Sequence, residues 1–186
     1  PSGKEFRIAL DEKNRLSSIT LPDGHGVTYT YDEAGNLAQV TNPAGGVVRY
    51  VYDDSHRMTA WYDASGKRQV QNQYDKQSRV TAQTDANGGR YKIQYEDGYT
   101  VTTDAEGNVV TYYYDEWKRT TRIVDALGGE TTFTYGQQGE IVSMTDPLGN
   151  VTTYAYNENG DKLAEVDPRG ASVTMTWDDS HHLLSL

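Results

Sequence analysis

The stretch "GVTYTYDEAGNLAQVTNPAGG", residues 26–46, decides the fold. Val27, Tyr29 and Tyr31 alternate with Thr28 and Thr30, and successive side chains of a strand point to opposite faces. This is a strand with one apolar face. "DEAGN" follows as a short polar turn with Asp32 at its head and Gly35 near its end, and Gly suits left-handed turn geometry. A second strand, "LAQVT", places Leu37 and Val40 six and nine positions after Tyr31. That odd offset breaks strict alternation and predicts a β-bulge. "NPAG" closes the stretch: Asp or Asn first, Pro second and Gly fourth is the signature of a type I turn.

The same arrangement recurs along the whole chain. Positions equivalent to Tyr31 are Leu10, Tyr52, Tyr74, Tyr95, Tyr114, Tyr135, Tyr156 and Trp177. They are spaced by 21 or 22 residues, except for a spacing of 19 between Tyr95 and Tyr114. The alternation returns in Val48, Tyr50, Tyr52; in Val110, Tyr112, Tyr114; in Tyr154, Tyr156; and in Val173, Met175, Trp177. The polar turn returns with Asp53, Asp75 and Asp115, and with Gly139 and Gly160 at the glycine position. The closing turn returns as "DASG", "DANG", "DAEG", "DALG", "DPLG" (Asp146, Pro147, Gly149) and "DPRG" (Asp167, Pro168, Gly170), with "LPDG" a degenerate copy. Fixed-period self-similarity of this length signals a repeat architecture. One hairpin alone is barely stable in water, so repeats must sit side by side and bury their tyrosine faces together. The expectation is an all-β fold: antiparallel hairpin repeats of about 21 residues in a twisted, curved ribbon, without helix.

Composition is consistent with this once the order of the residues is read. Only 32 of 186 residues are Leu, Ile, Val or Phe, a level usually found in disordered chains. Fifteen tyrosines and three tryptophans speak against disorder, which is poor in aromatics. A net charge of −10 and the absence of any basic tract argue against nucleic-acid binding. No apolar run is long enough to span a membrane as a helix, and "PSGKEFRIALDEKNR" lacks the layout of a signal peptide. Absence of cysteine removes disulfides and thiolate metal sites.

The combination Tyr-x-Tyr-Asp-x-x-Gly-Arg/Asn-Leu followed by Asp-Pro-x-Gly resembles the YD repeat of the Rhs family. Tyr29 to Leu37 match it best, together with Tyr154 to Gly160 and Asp167 to Gly170. That family includes bacterial polymorphic toxins, the B/C components of insecticidal toxin complexes, and teneurins. The resemblance covers about nine repeats, residues 1–186 as one array. It implies a strip of sheet spiralling into a hollow shell that encloses a C-terminal toxin or effector domain. It also implies secretion or delivery to the cell surface after synthesis in a bacterial cytoplasm. The implied partners are the remaining shell repeats, the enclosed domain and a component of the secretion apparatus. Family shells use many more repeats than nine, and both ends here fall inside a repeat, so the expectation is a fragment of a longer protein. Exposed first and last strands would invite self-association.

Four features compete with a purely structural reading. Asp146 and Asp167 could be a catalytic pair, but they stand in register with the other turns. The toxin branch of the family ends its shell with an Asp-Pro-x-Gly-Leu motif used in self-cleavage, and here Asn150 and Ala171 replace the leucine. The cluster Asp178, Asp179, His181, His182 suggests metal ligation, but "DDSHR" at 53–57 is the same turn in an earlier copy. "NENGD" at 157–161 lacks the acidic first ligand of a calcium loop. The expectation is therefore no enzyme, no metal and no cofactor. The tyrosine ladder admits a rival function: surface adhesion, binding glycans or a protein partner through exposed aromatics. In "TYYYDEW", 111–117, Tyr113 lies on the opposite face from its neighbours and is the expected ligand contact.

Overall fold

The computed structural model describes residues 5–186; residues 1–4, the start of the stretch read for a leader, lie outside it. Every regular element among the described residues is a strand. The chain divides into two halves, 1–93 with 104–106, and 94–103 with 107–186. The first is built on β1 (Arg7–Leu10), β2 (Leu16–Thr20), β3 (Gly26–Tyr31), β4 (Leu37–Thr41), β5 (Val47–Tyr52), β6 (Met58–Tyr62), β7 (Arg68–Tyr74), β8 (Val80–Asp85) and the start of β9 (Arg90–Glu96), whose last three residues belong to the second. The second holds β10 (Tyr99–Thr103), β11 (Val109–Tyr114), β12 (Thr120–Val124), β13 (Glu130–Tyr135), β14 (Ile141–Thr145), β15 (Val151–Tyr156), β16 (Lys162–Val166), β17 (Ser172–Thr174) and the short pair β18 (Thr176–Trp177) and β19 (Leu183–Ser185). Consecutive strands pair antiparallel in an up-and-down order from β1 to β9 and from β10 to β17, and β18 and β19 pair with each other as a separate two-stranded sheet.

The offset in the second strand is a bulge. Thr30 pairs with Gln39 but Tyr31 pairs with Leu37, which leaves Ala38 as an extra residue. The same slip leaves Ser17, Thr59, Thr81, Thr121, Val142, Leu163 and Leu184 extra in the equivalent hairpins. Inserting one residue turns an odd spacing into an even one, so Leu37 and Val40 face the same side. The shortened repeat is explained as well: β9 and β10 are joined by Asp97 and Gly98 alone, with Gly98 at φ 79°.

The two turn types distinguished in the sequence are one structure. In fifteen turns among the described residues the first residue accepts the N–H of the fourth and donates its own N–H to the fifth. This is a type I turn closed by a left-handed residue. That residue is Gly in most turns, with φ 82–92° at Gly35, Gly139, Gly149, Gly160 and Gly170 among others. Asn14, His56, Ser78, Lys118 and His181 take it at φ 61–63°. A Cβ on Gly128 would meet nothing within 4 Å, so only backbone strain opposes one there. Gly128→Ala is accordingly expected to cost about 1 kcal/mol, read as a small fall in melting temperature with an unchanged circular dichroism spectrum.

Registration puts the ladder tyrosines on one face with aliphatic and aromatic partners, Tyr29 opposite Val40, Tyr50 opposite Trp61 and Tyr112 opposite Ile123. The other face pairs Thr28 with Thr41 and Thr30 with Gln39. Neither face is sealed. Among the described residues only Ala60, Ala82 and Asn72 are buried. The chain exposes 12717 Å², against about 8,900 Å² for a compact monomer of its mass.

Candidate functional site

The repeated joint between neighbouring repeats is the best-defined constellation of side chains. It starts with the turn. Asp53 Oδ1 accepts the backbone N–H groups of Ser55 and Arg57, and Oδ2 accepts Arg57 Nε at 2.8 Å. Asp11 with Arg15, Asp75 with Arg79 and Asp115 with Arg119 repeat the arrangement. Where the fifth residue is Asn, as in Asp32 with Asn36 and Asp146 with Asn150, an amide replaces the guanidinium.

From its turn the arginine reaches the key tyrosine of the next repeat. Arg15 lies 4.0 Å over Tyr31, Arg57 4.8 Å over Tyr74 and Arg119 4.5 Å over Tyr135. Cation–π contacts of this kind contribute about 0.5–1 kcal/mol at exposed sites. The tyrosine reaches back in turn. Tyr31 Oη donates to the Leu16 carbonyl at 2.9 Å, Tyr74 to Met58 at 2.6 Å and Tyr135 to Thr120 at 2.6 Å. Trp177 Nε1 donates to the Lys162 carbonyl at 2.8 Å in the same place. Each accepting residue is the one next to a bulge. At Tyr31, Tyr74 and Tyr135 the bulge, the aromatic and the turn arginine therefore form a single joint between one repeat and the next.

Tyr52, Tyr95, Tyr112, Tyr114, Tyr154 and Tyr156 are half-buried in the ladder. Burial pushes the Tyr52 phenol up, reinforced by Tyr50 and Asp32. Asn72 is the departure in this row. It takes the place held by Tyr29, Tyr50 and Tyr112 elsewhere, donates to the Met58 carbonyl at 3.1 Å, and accepts Gln83 Nε2 at 2.9 Å. The sequence carries this exchange, a polar pair at two ladder positions, and only the register shows that the two residues are opposed.

Asp146 and Asp167 each serve their own turn. Asp146 accepts the N–H groups of Leu148 and Asn150, and Asp167 those of Arg169 and Ala171. The Asn150 side-chain amide holds the Asp146 carboxyl below its ordinary range, the opposite of what a carboxyl needs to keep a proton. Pro147 and Pro168 occupy the second turn position, and both are exposed. The histidine cluster is split between partners: His181 Nδ1 lies 2.7 Å from Asp161 and His182 Nδ1 3.0 Å from Asp178. Tyr113 is half-buried, packed on Tyr99 at 5.5 Å and covered by the Arg122 guanidinium at 3.9 Å. The exposed aromatic of that cluster is Trp117, at 68%.

Hydrogen bonds to the ionised form lower several turn carboxyls. The chief cause is the Arg15 side chain at Asp11, the Arg57 side chain at Asp53 and the Arg79 backbone N–H at Asp75. A depressed folded pKa contributes stability above the unfolded value, near 3.9, and that contribution is lost as pH falls through the folded value. The circular dichroism spectrum is therefore expected to hold constant from pH 8 to 5, with cooperative loss only below about pH 4. Unfolding centred between pH 5 and 7 would contradict this.

The geometry defines the class of protein as a tandem β-hairpin repeat joined through a recurring seam of aromatic, bulge and turn. The profile of the RHS Repeat family matches residues 11–47, 52–90, 114–151 and 137–172, and the chain belongs to that family. No curated protein matches the chain. Among solved structures it is similar in fold to TcdB2-TccC3, at 14% identity and a TM-score of 0.72 over 91% of this chain and 12% of that one. The form of that complex without its hypervariable C-terminal region gives 14% identity and a TM-score of 0.74, over 95% of this chain and 12% of that one. The Photorhabdus luminescens Tc holotoxin pore with mutated TccC3 gives 16% and 0.68, over 92% and 10%. The chain thus spans about one eighth or less of these structures' own length.

Proposed function

We propose that this chain is a section of the wall of an Rhs shell, structural and not enzymatic. It is one array of about nine repeats cut from a longer protein. The shell encloses a C-terminal toxin or effector domain, and the parent protein is secreted or delivered to the cell surface. Its partners are the neighbouring shell repeats, the enclosed domain and a component of the secretion apparatus. Exposed edge strands also suit the chain to self-association.

The observation that carries this reading is the joint itself. A joint that recurs between neighbouring repeats lengthens a sheet one repeat at a time and builds no separate core. An exposed area of 12717 Å² fits a wall whose faces are meant to meet something else. The shifted carboxyls also support it, because they recur turn after turn and do not converge on one pocket.

Limited proteolysis of the parent protein tests the proposal. The downstream domain is expected to survive a protease dose that digests it completely when it is expressed without the repeats. Equal digestion in both contexts would defeat the reading.

A further inference from the structure

One place breaks the repeat pattern twice, in two adjacent polar turns. The third residue of the turns is small or polar in most copies, such as Lys13, Ala34, Ser55, Gln77 and Ser180. In the Asp115 turn it is Trp117, 68% exposed. In the next repeat the turn begins with Gly136, where thirteen of the fifteen turns have Asp or Asn. Beside this turn lies a notch of about 410 Å³ lined by Trp117, Arg119, Gly136, Gln137, Gln138 and Gly139. The missing carboxylate is replaced from the far end of the turn, where Glu140 accepts the Gln138 N–H at 3.0 Å.

We propose that this notch binds one ring of a neutral saccharide. The indole offers a flat apolar surface to the C–H face of a pyranose, an aromatic wall with few polar groups being the usual make-up of a small-molecule site. The ligand is neutral because the charges are already committed. Arg119 is paired with Asp115 at 2.7 Å and stacks on both Trp117 and Tyr135. Glu140 is held within its turn, and the chain's net charge of −10 repels anions at long range. The polar groups that remain are the amides of Gln137 and Gln138. Gln138 donates one N–H to the Glu158 carbonyl at 3.2 Å, which leaves a second N–H and its carbonyl oxygen. Amides that both donate and accept suit hydroxyl groups that do the same. A proline-rich peptide also stacks on tryptophan, but such grooves are lined by several aromatics, and this one presents a single exposed ring.

The test uses the whole 186-residue chain on an array of neutral glucose-, galactose-, mannose- and N-acetylhexosamine-ended oligosaccharides. It is coupled to NMR observation of the Trp117 indole N–H. At least one glycan is expected to be retained and to shift that resonance. Trp117→Ala and Gly136→Asp are each expected to weaken retention about tenfold or more. Gly136→Asp restores the residue type of the other turns, and its Cβ displaces only the Glu140 carboxylate, whose bond from the Gln138 N–H the new Asp can accept as Asp53 and Asp146 do in their turns, so its melting curve is expected to match the parent's. The proposal is overturned if no glycan is retained, or if both variants bind as well as the parent. It is also overturned if a proline-rich peptide shifts the indole while the sugars do not.

Discussion

Tyr74→Ala is expected to destabilise the first half by about 3 kcal/mol, the largest effect of any single replacement in the seam. The loss combines the half-buried ring, the 2.6 Å hydrogen bond to the Met58 carbonyl and the cover of the Arg57 guanidinium. Tyr74→Phe keeps the ring and loses only the hydroxyl, so its expected cost is about 1 kcal/mol. Because the repeats are joined only to their neighbours, the damage should be local. Hydrogen exchange is expected to accelerate in Met58–Tyr62 and Val80–Asp85 while Glu130–Tyr135 keeps its protection. If Tyr74→Phe costs as much as Tyr74→Ala, the hydrogen bond and not the packing governs the joint. If neither is destabilising, the seam does not hold the repeats.

The second large effect concerns the polar pair that interrupts the ladder. Gln83→Val is expected to cost about 2 kcal/mol, because Asn72 is buried and its carbonyl oxygen would lose its donor. Combining it with Asn72→Tyr brings this repeat to the pattern of Tyr29 opposite Val40, with no polar group left stranded. The double variant should recover most of the loss, giving a coupling energy of about 1–2 kcal/mol between two directly opposed residues. Denaturant unfolding of the four proteins of the cycle measures it. Additive effects would show that the two side chains act independently.

The sequence displays the fold well because the fold is local. Period-two alternation from Val27 to Tyr31 marks a strand, and Asp-x-x-Gly marks a turn. Even the bulge is visible, since Leu37 and Val40 can share a face only if one residue is extra. The joint is less visible. That Arg57 lies over Tyr74 depends on how two repeats sit side by side, and no single repeat contains that relation. A signal for it exists in Arg15, Arg57, Arg79 and Arg119, each placed four residues after the turn's Asp. The two kinds of turn looked separate because proline and arginine decorate them differently, yet their backbone hydrogen bonds are the same.

The ligand contact expected at Tyr113 shows the limit of alternation. Period two assigns Tyr113 to the opposite face, but what covers that face comes from the strands on either side. Tyr99 and Arg122 are directly opposite it, and both lie against the ring. Trp117 stands on a turn tip, where no strand passes beside it, and it stays 68% exposed although the Arg119 guanidinium lies 4.7 Å over its ring.

Electron cryo-microscopy of the intact parent protein tests the wall proposal most directly. The account predicts that residues 5–186 form part of a closed, hollow β shell, with the downstream domain's density inside it. An open ribbon carrying the downstream domain on its outside would contradict it.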